Sequence, residues 1–124
     1  MKILFLDDDC HKMNSLLYCF YEDDVEISNN FMDGLKKVCN NNFDLLVLDM
    51  NFPITENGKI RKLGIEFLDV MQRKKIFIPT IIYSSELYDV SKYNNIVGYL
   101  KYNILFDYTE KVDTFKSKVL ILKK

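Results

Sequence analysis

Leu45-Leu46-Val47-Leu48-Asp49-Met50 decides the reading of this chain: an unbroken apolar run of strand length stops at a carboxylate. Such a run, without polar alternation, predicts a strand covered on both faces, as in a parallel sheet. The same pattern stands at the start of the chain, where Lys2-Ile3-Leu4-Phe5-Leu6 runs into Asp7-Asp8-Asp9. Parallel strands bring their carboxyl ends to one edge of a sheet, so these acids are expected to converge there. A single acid at a strand end serves as a turn-former or helix N-cap, and Asp8 or Asp9 could cap the helix that follows. Two strands ending this way, with Asp49 leading into a loop that contains Pro53, favour a shared site. Crowded carboxylates repel one another and call for a cation, and donors that are all oxygen suit a hard ion such as Mg2+.

The remainder of the chain repeats the alternation. Met13, Leu16, Leu17 and Phe20 recur at helical spacing, and Val25 and Ile27 then alternate with acids as a short strand. Phe31, Leu35 and Val38 mark a second helix that leads through Asn40-Asn41-Asn42 to the strand ending at Asp49. Ile65, Phe67, Leu68 and Met71 predict a third helix after Gly64. Residues 78–83 predict a fourth strand with Pro79 near its start, where a missing N–H is tolerated, and residues 96–100 a fifth. Tyr108, Val112, Phe115, Val119 and Leu122 form the stripe of a terminal amphipathic helix. The predicted fold is α/β, a (βα)5 doubly wound five-stranded parallel sheet, because right-handed crossovers place helices on both faces. The irregular stretch is 51–63, where Asn57-Gly58 signals a two-residue hairpin turn and a small ribbon beside the site. Lys59, Arg61 and Lys62 make that stretch basic, which suits either a solvated loop or a phosphate- or partner-reading one.

With 124 residues and 48% hydrophobic content the chain is expected to form one domain spanning 1–124, with no output domain. A net charge of -1 and a pI near 5.8 give no footprint for nucleic acid. No apolar run approaches the ~18 residues of a membrane span, and a cytoplasmic protein is expected. Cys10, Cys19 and Cys39 are odd in number and lack C-x-x-C spacing, which argues for reduced thiols. Cys10 beside the acids is a poor nucleophile, and His11, the one histidine, has no partner in view, which removes most histidine-dependent hydrolase mechanisms.

Taken together, Asp7-Asp8 after the first strand, Asp49 after the third, Ser84 after the fourth and Lys101 at the end of the fifth resemble the receiver domain of two-component response regulators, CheY-like and stand-alone. The matches are residues 3–9, 46–53 and 78–86, in that order and spacing. The resemblance implies the flavodoxin-like fold and phosphorylation of Asp49, with Asp8 as a direct Mg2+ ligand, Asp7 a ligand through water and the Asn51 carbonyl a further one. It implies that Lys101 pairs with a phosphoryl oxygen, that Ser84 and Tyr99 switch, and that Asn51 and Glu86 tune the lifetime of the phosphate. A histidine kinase or phosphotransfer protein would supply the phosphate, an unnamed protein would read it, and the chain would shed phosphate without being an enzyme in the ordinary sense.

The chain departs from the receiver pattern at four places. Tyr102 stands where receivers have Pro after the lysine, and Gly98 stands three positions before Lys101, where an aromatic is usual. Either the fifth strand has lost a residue or Lys101 is out of register. The span from Ser84 to Lys101 is short and predicts an abbreviated fourth helix, while the loop after Pro53 is long. A receiver-like interaction module that does not switch is therefore one alternative, as is a receiver diverged toward processing. Another is a haloacid-dehalogenase-type phosphatase using Asp7 as nucleophile and Asp9 as acid, although Cys10 replaces the Gly of that family's D-x-D-G-T.

Overall fold

Five strands, each hydrogen-bonded in a ladder with its neighbours, build the sheet in the order β2-β1-β3-β6-β7 in the computed structural model, which describes residues 1–9, 14–101 and 108–122. The strands are β1 (Lys2–Leu6), β2 (Asp24–Ser28), β3 (Leu45–Asp49), β6 (Thr80–Ser84) and β7 (Ile96–Lys101), all parallel. Between them lie α1 (Asn14–Tyr18), α2 (Phe31–Asn40), the two-residue strands β4 (Asn51–Phe52) and β5 (Arg61–Lys62), and α3 (Gly64–Arg73). Helix α4 (Thr109–Leu122) follows β7.

The period-two geometry of the strands divides the apolar side chains between two layers. Leu4, Leu6, Leu46, Leu48 and Ile82 pack with Val38 of α2 and with Phe67, Leu68 and Met71 of α3. Ile3, Phe5, Leu45, Val47 and Ile81 pack on the other face with Leu16 of α1 and with Val112 and Val119 of α4. This two-sided burial is why β1 and β3 read as continuous apolar runs, and the doubly wound parallel architecture stands as expected.

The helical pattern that spans Met13 to Phe20 yields only the five residues of α1 among the described positions, and turns follow it. Phe20 reaches the core from beyond the helix, edge-on to Phe5. The larger difference lies between β6 and β7, where residues 85–95 contain no helix. Asp89 accepts hydrogen bonds from the Ser91 N–H and hydroxyl, the local side-chain bonding that competes with helix formation. The segment is held instead by Tyr88, Val90 and Tyr93, which pack against the α3 side of the core. The fold is therefore a (βα)5 sheet with its fourth crossover made by a loop.

Strand β7 carries an extra residue. Its register passes from Thr80↔Ile96 to Ile81↔Gly98, so Val97 is a bulge and both Val97 and Gly98 turn toward α4. A Cβ on Gly98 would lie 2.4 Å from the Phe115 ring, which explains the glycine. Past the bulge the ladder is regular through Ile82↔Tyr99 to Ser84↔Lys101. The bulge lies before Gly98, so Tyr99 and Lys101 keep a regular two-residue spacing that places Lys101 beside Ser84.

The ribbon expected at 51–63 is present as an antiparallel pair, Asn51↔Lys62 and Phe52↔Arg61. Its turn is not the two-residue type. The strands are separated by residues 53–60, within which the Gly58 N–H donates to the Thr55 carbonyl at 2.9 Å and Asn57 takes a positive φ of 64°. That left-handed conformation is one that asparagine tolerates better than most residues.

Candidate functional site

The carboxyl edge of the sheet gathers the predicted acids. The Asp7 N–H donates to the Ser28 carbonyl at 3.0 Å, so the residue extends the β1–β2 ladder by one step, and it is buried. Its carboxylate turns back to accept the Asp9 N–H at 2.9 Å. Asp49, the last residue of β3, is buried next door; its carboxylate accepts the Met50 N–H at 2.8 Å. Asp8 is partly exposed at the mouth. One carboxylate oxygen from each of Asp7, Asp8 and Asp49 can be chosen so that all lie within 4.8 Å of one another. Three carboxylates so close oppose each other's charge, and an all-oxygen set of this size fits Mg2+. Asn51, two residues beyond Asp49, begins the ribbon next to this cluster.

The neighbouring strand ends carry the remaining residues. Asp49 pairs in register with Tyr83, which places Ser84 at the adjoining strand end; its buried hydroxyl oxygen accepts the Glu86 N–H at 3.1 Å. Lys101, opposite Ser84 at the end of β7, is exposed. The Tyr99 hydroxyl donates to the Glu86 carbonyl, and burial pushes its phenol above the ordinary tyrosine range against the lowering effect of its hydrogen bonds. The Glu86 carboxylate accepts from Lys62 at 3.3 Å and from the Tyr88 hydroxyl at 3.4 Å. Ser84, Glu86, Tyr99 and Lys62 thus form one connected group beside the acids. Cys10, His11 and Tyr102 lie outside the described residues.

Two features are not evident from the strand-end motifs. An open cleft lined by Asp7, Asp8, Asn30, Asp33, Lys36 and Glu56 extends the acidic site toward the start of α2. The Asn30 side chain caps that helix by accepting the Asp33 N–H at 2.8 Å, a role signalled by the Asn29-Asn30 pair before an apolar-periodic run. A hydrogen bond from the Ser28 hydroxyl, outweighing burial and aided by Lys37, holds the Asp33 carboxyl below the usual range. The second feature is the seating of the ribbon. The Phe31 and Met32 N–H groups at the helix start donate to the Pro53 and Ile54 carbonyls at 2.9 and 3.0 Å, which fastens the 51–63 segment over α2.

No family model and no curated protein matches this sequence. Solved structures do match the fold. A CheY-like response regulator receiver domain protein from Methanospirillum hungatei superposes with a TM-score of 0.73 at 20% identity, covering 98% of this chain and 95% of the other. The response regulator TrrA from Thermotoga maritima, in complex with Mg2+-BeF, gives 0.68 at 24% identity over 92% and 97%. A receiver domain of a Francisella response regulator gives 0.68 at 22% identity over 94% and 98%. With its sheet order, its strand-end acids and these likenesses over nearly its whole length, the chain has the fold of the CheY-like receiver domains.

Proposed function

We propose that this chain is a cytoplasmic response-regulator receiver that takes a phosphoryl group on Asp49 and signals by changing a protein-binding surface. The observation that supports it is the convergence of Asp7, Asp8 and Asp49 within 4.8 Å at the carboxyl edge of a parallel sheet. In this reading Asp7, Asp8, Asp49 and the Asn51 carbonyl hold Mg2+, which offsets the repulsion between an attacking carboxylate and an anionic phosphoryl group. An Asp49 oxygen bonds to phosphorus as the donor's P–O or P–N bond breaks, and the donor, a histidine kinase or phosphotransfer protein, leaves with the bonding pair. Lys101 pairs with a phosphoryl oxygen, and the Ser84 hydroxyl moves toward it. Asn51 and Glu86 orient the water that later attacks phosphorus and returns the carboxylate, so the phosphate is short-lived and general phosphoester turnover is not expected.

Incubation with acetyl phosphate and Mg2+ should add one phosphate by intact mass, with acetate released, and Asp49→Asn should abolish the addition. Phosphate on Asp7 would instead favour the dehalogenase-type phosphatase. The absence of a helix between β6 and β7 keeps the non-switching interaction module as a second reading. Beryllofluoride should move amide signals of Tyr99 and of residues 85–95 if the chain switches, and only those near Asp7, Asp8 and Asp49 if it does not.

A further inference from the structure

The basic segment of the ribbon has no part in the reading above. Its Lys62 is placed to have one. Lys62 pairs in register with Asn51, two residues beyond Asp49, and its ammonium lies 3.3 Å from the Glu86 carboxylate, two residues beyond Ser84. The side chain therefore links the segment that follows β3 to the segment that follows β6, the two strands whose ends carry Asp49 and Ser84. Its base is anchored: the Leu63 and Gly64 N–H groups donate to the Met50 carbonyl at 3.1 Å each, and the fully buried Phe52 of the opposite strand packs with Phe31 and Phe67. Its tip is only lightly held, since the Lys62 and Glu86 side chains are 68% and 53% exposed and pairs of that kind contribute little.

We infer that Lys62 is a second phosphoryl-binding cation, which leaves Glu86 for a phosphoryl oxygen when Asp49 is modified; the inference rests on the Asp49 reading. A phosphoryl group carries more charge than one carboxylate and forms shorter charge-assisted bonds, so it outcompetes Glu86 for the same ammonium. The exchange also releases the carboxylate of the residue whose carbonyl accepts the Tyr99 hydroxyl and whose N–H is bonded to Ser84. Occupancy of the site is thereby transmitted to the loop that replaces the fourth helix.

The test compares the parent chain with Lys62→Ala, Lys62→Arg and Glu86→Gln, titrating Mg2+ alone and then beryllofluoride at saturating Mg2+, by tyrosine fluorescence and NMR. Lys62→Ala should weaken beryllofluoride about tenfold, while affinity for Mg2+ alone stays level or rises because a nearby positive charge is gone. Lys62→Arg should keep most of the parent affinity, and Glu86→Gln should tighten beryllofluoride by removing the competing anion. Unchanged beryllofluoride binding in Lys62→Ala overturns the inference while leaving the Asp49 reading intact, and an equal loss of Mg2+ binding overturns it by marking a merely structural role. A parent chain that neither binds beryllofluoride nor takes phosphate from acetyl phosphate defeats both.

Discussion

The two halves of the carboxyl edge are held in different ways. At the β1–β3 half, Asp7 and Asp49 sit at the ends of fully buried strands, positioned by the ladder and by layers of side chains on both faces. At the β6–β7 half, the strand ends lead into residues 85–95, which have no helix and are fastened by side-chain clasps. The Tyr93 hydroxyl donates to Asp69 of α3 at 2.5 Å, Lys92 lies 3.4 Å from the same carboxylate, and Glu86 joins Tyr99, Tyr88 and Lys62. Buried ladders resist local opening, whereas exposed segments held by a few polar contacts open at lower free energy. The first half is held by the core, and the second by contacts that cost less to break.

The largest expected effect breaks the rigid half. A Cβ at Gly64 would lie 2.4 Å from the Met50 sulfur and 2.8 Å from its Cα, and the backbone next to Asp49 has nowhere to go. Gly64→Ala should cost about 3 kcal/mol in urea denaturation and take Mg2+ binding with it, because overpacking here displaces a ligand-bearing strand end. Survival of Mg2+ binding at parental affinity in this variant would show that the acidic half is less rigid than its burial indicates.

Next comes charge within that half. Asp8→Ala removes one of three crowded carboxylates, so the Mg2+-free protein should gain about 1 kcal/mol, and the rise in Tm on adding Mg2+ should vanish. An Mg2+-dependent Tm identical to the parent's would separate Asp8 from the cation site.

The smallest effect sharpens the contrast from the other side. Tyr93→Phe deletes one clasp and should cost about 0.5 kcal/mol, with amide exchange accelerated in residues 85–95 and unchanged in β1 and β3. The pH dependence follows from the same contact. The Asp69 carboxyl is lowered below 3.8 first by the Tyr93 hydrogen bond, which together with Lys92 outweighs burial. A carboxylate with a depressed folded pKa contributes stability that is present above its unfolded value and lost as pH falls through its folded one. Acid destabilisation below about pH 4 should therefore be shallower in Tyr93→Phe than in the parent, and parallel curves would mean that the clasp does not form in solution.

Legibility from sequence follows the same division. The ends of β1 and β3 could be read because a strand buried on both faces must be apolar throughout, so a carboxylate at its end stands out without any knowledge of its neighbours. Helices α2, α3 and α4 were visible through their apolar period, and the ribbon through Asn57-Gly58, although that turn closes a longer loop than the dipeptide implies. The loop at 85–95 was not readable as such, since Leu87, Tyr88 and Val90 suit a short helix as well as a packed loop, and tertiary contacts with α3 decide between them. The bulge at Val97 left no signal in the sequence, because it is defined only by the pairing of β7 with β6.

Local sequence thus determined which residues form strands and helices and which acids end them, because burial on two faces and on one helical stripe imposes periods that need no partner to be recognised. Tertiary structure alone decided that those acids meet within 4.8 Å, that β7 bulges at Val97 and pairs Lys101 with Ser84, and that Lys62 reaches Glu86. Each of these depends on register between segments distant in the chain. Register is set by the packing of whole layers, a quantity that no single stretch of residues contains.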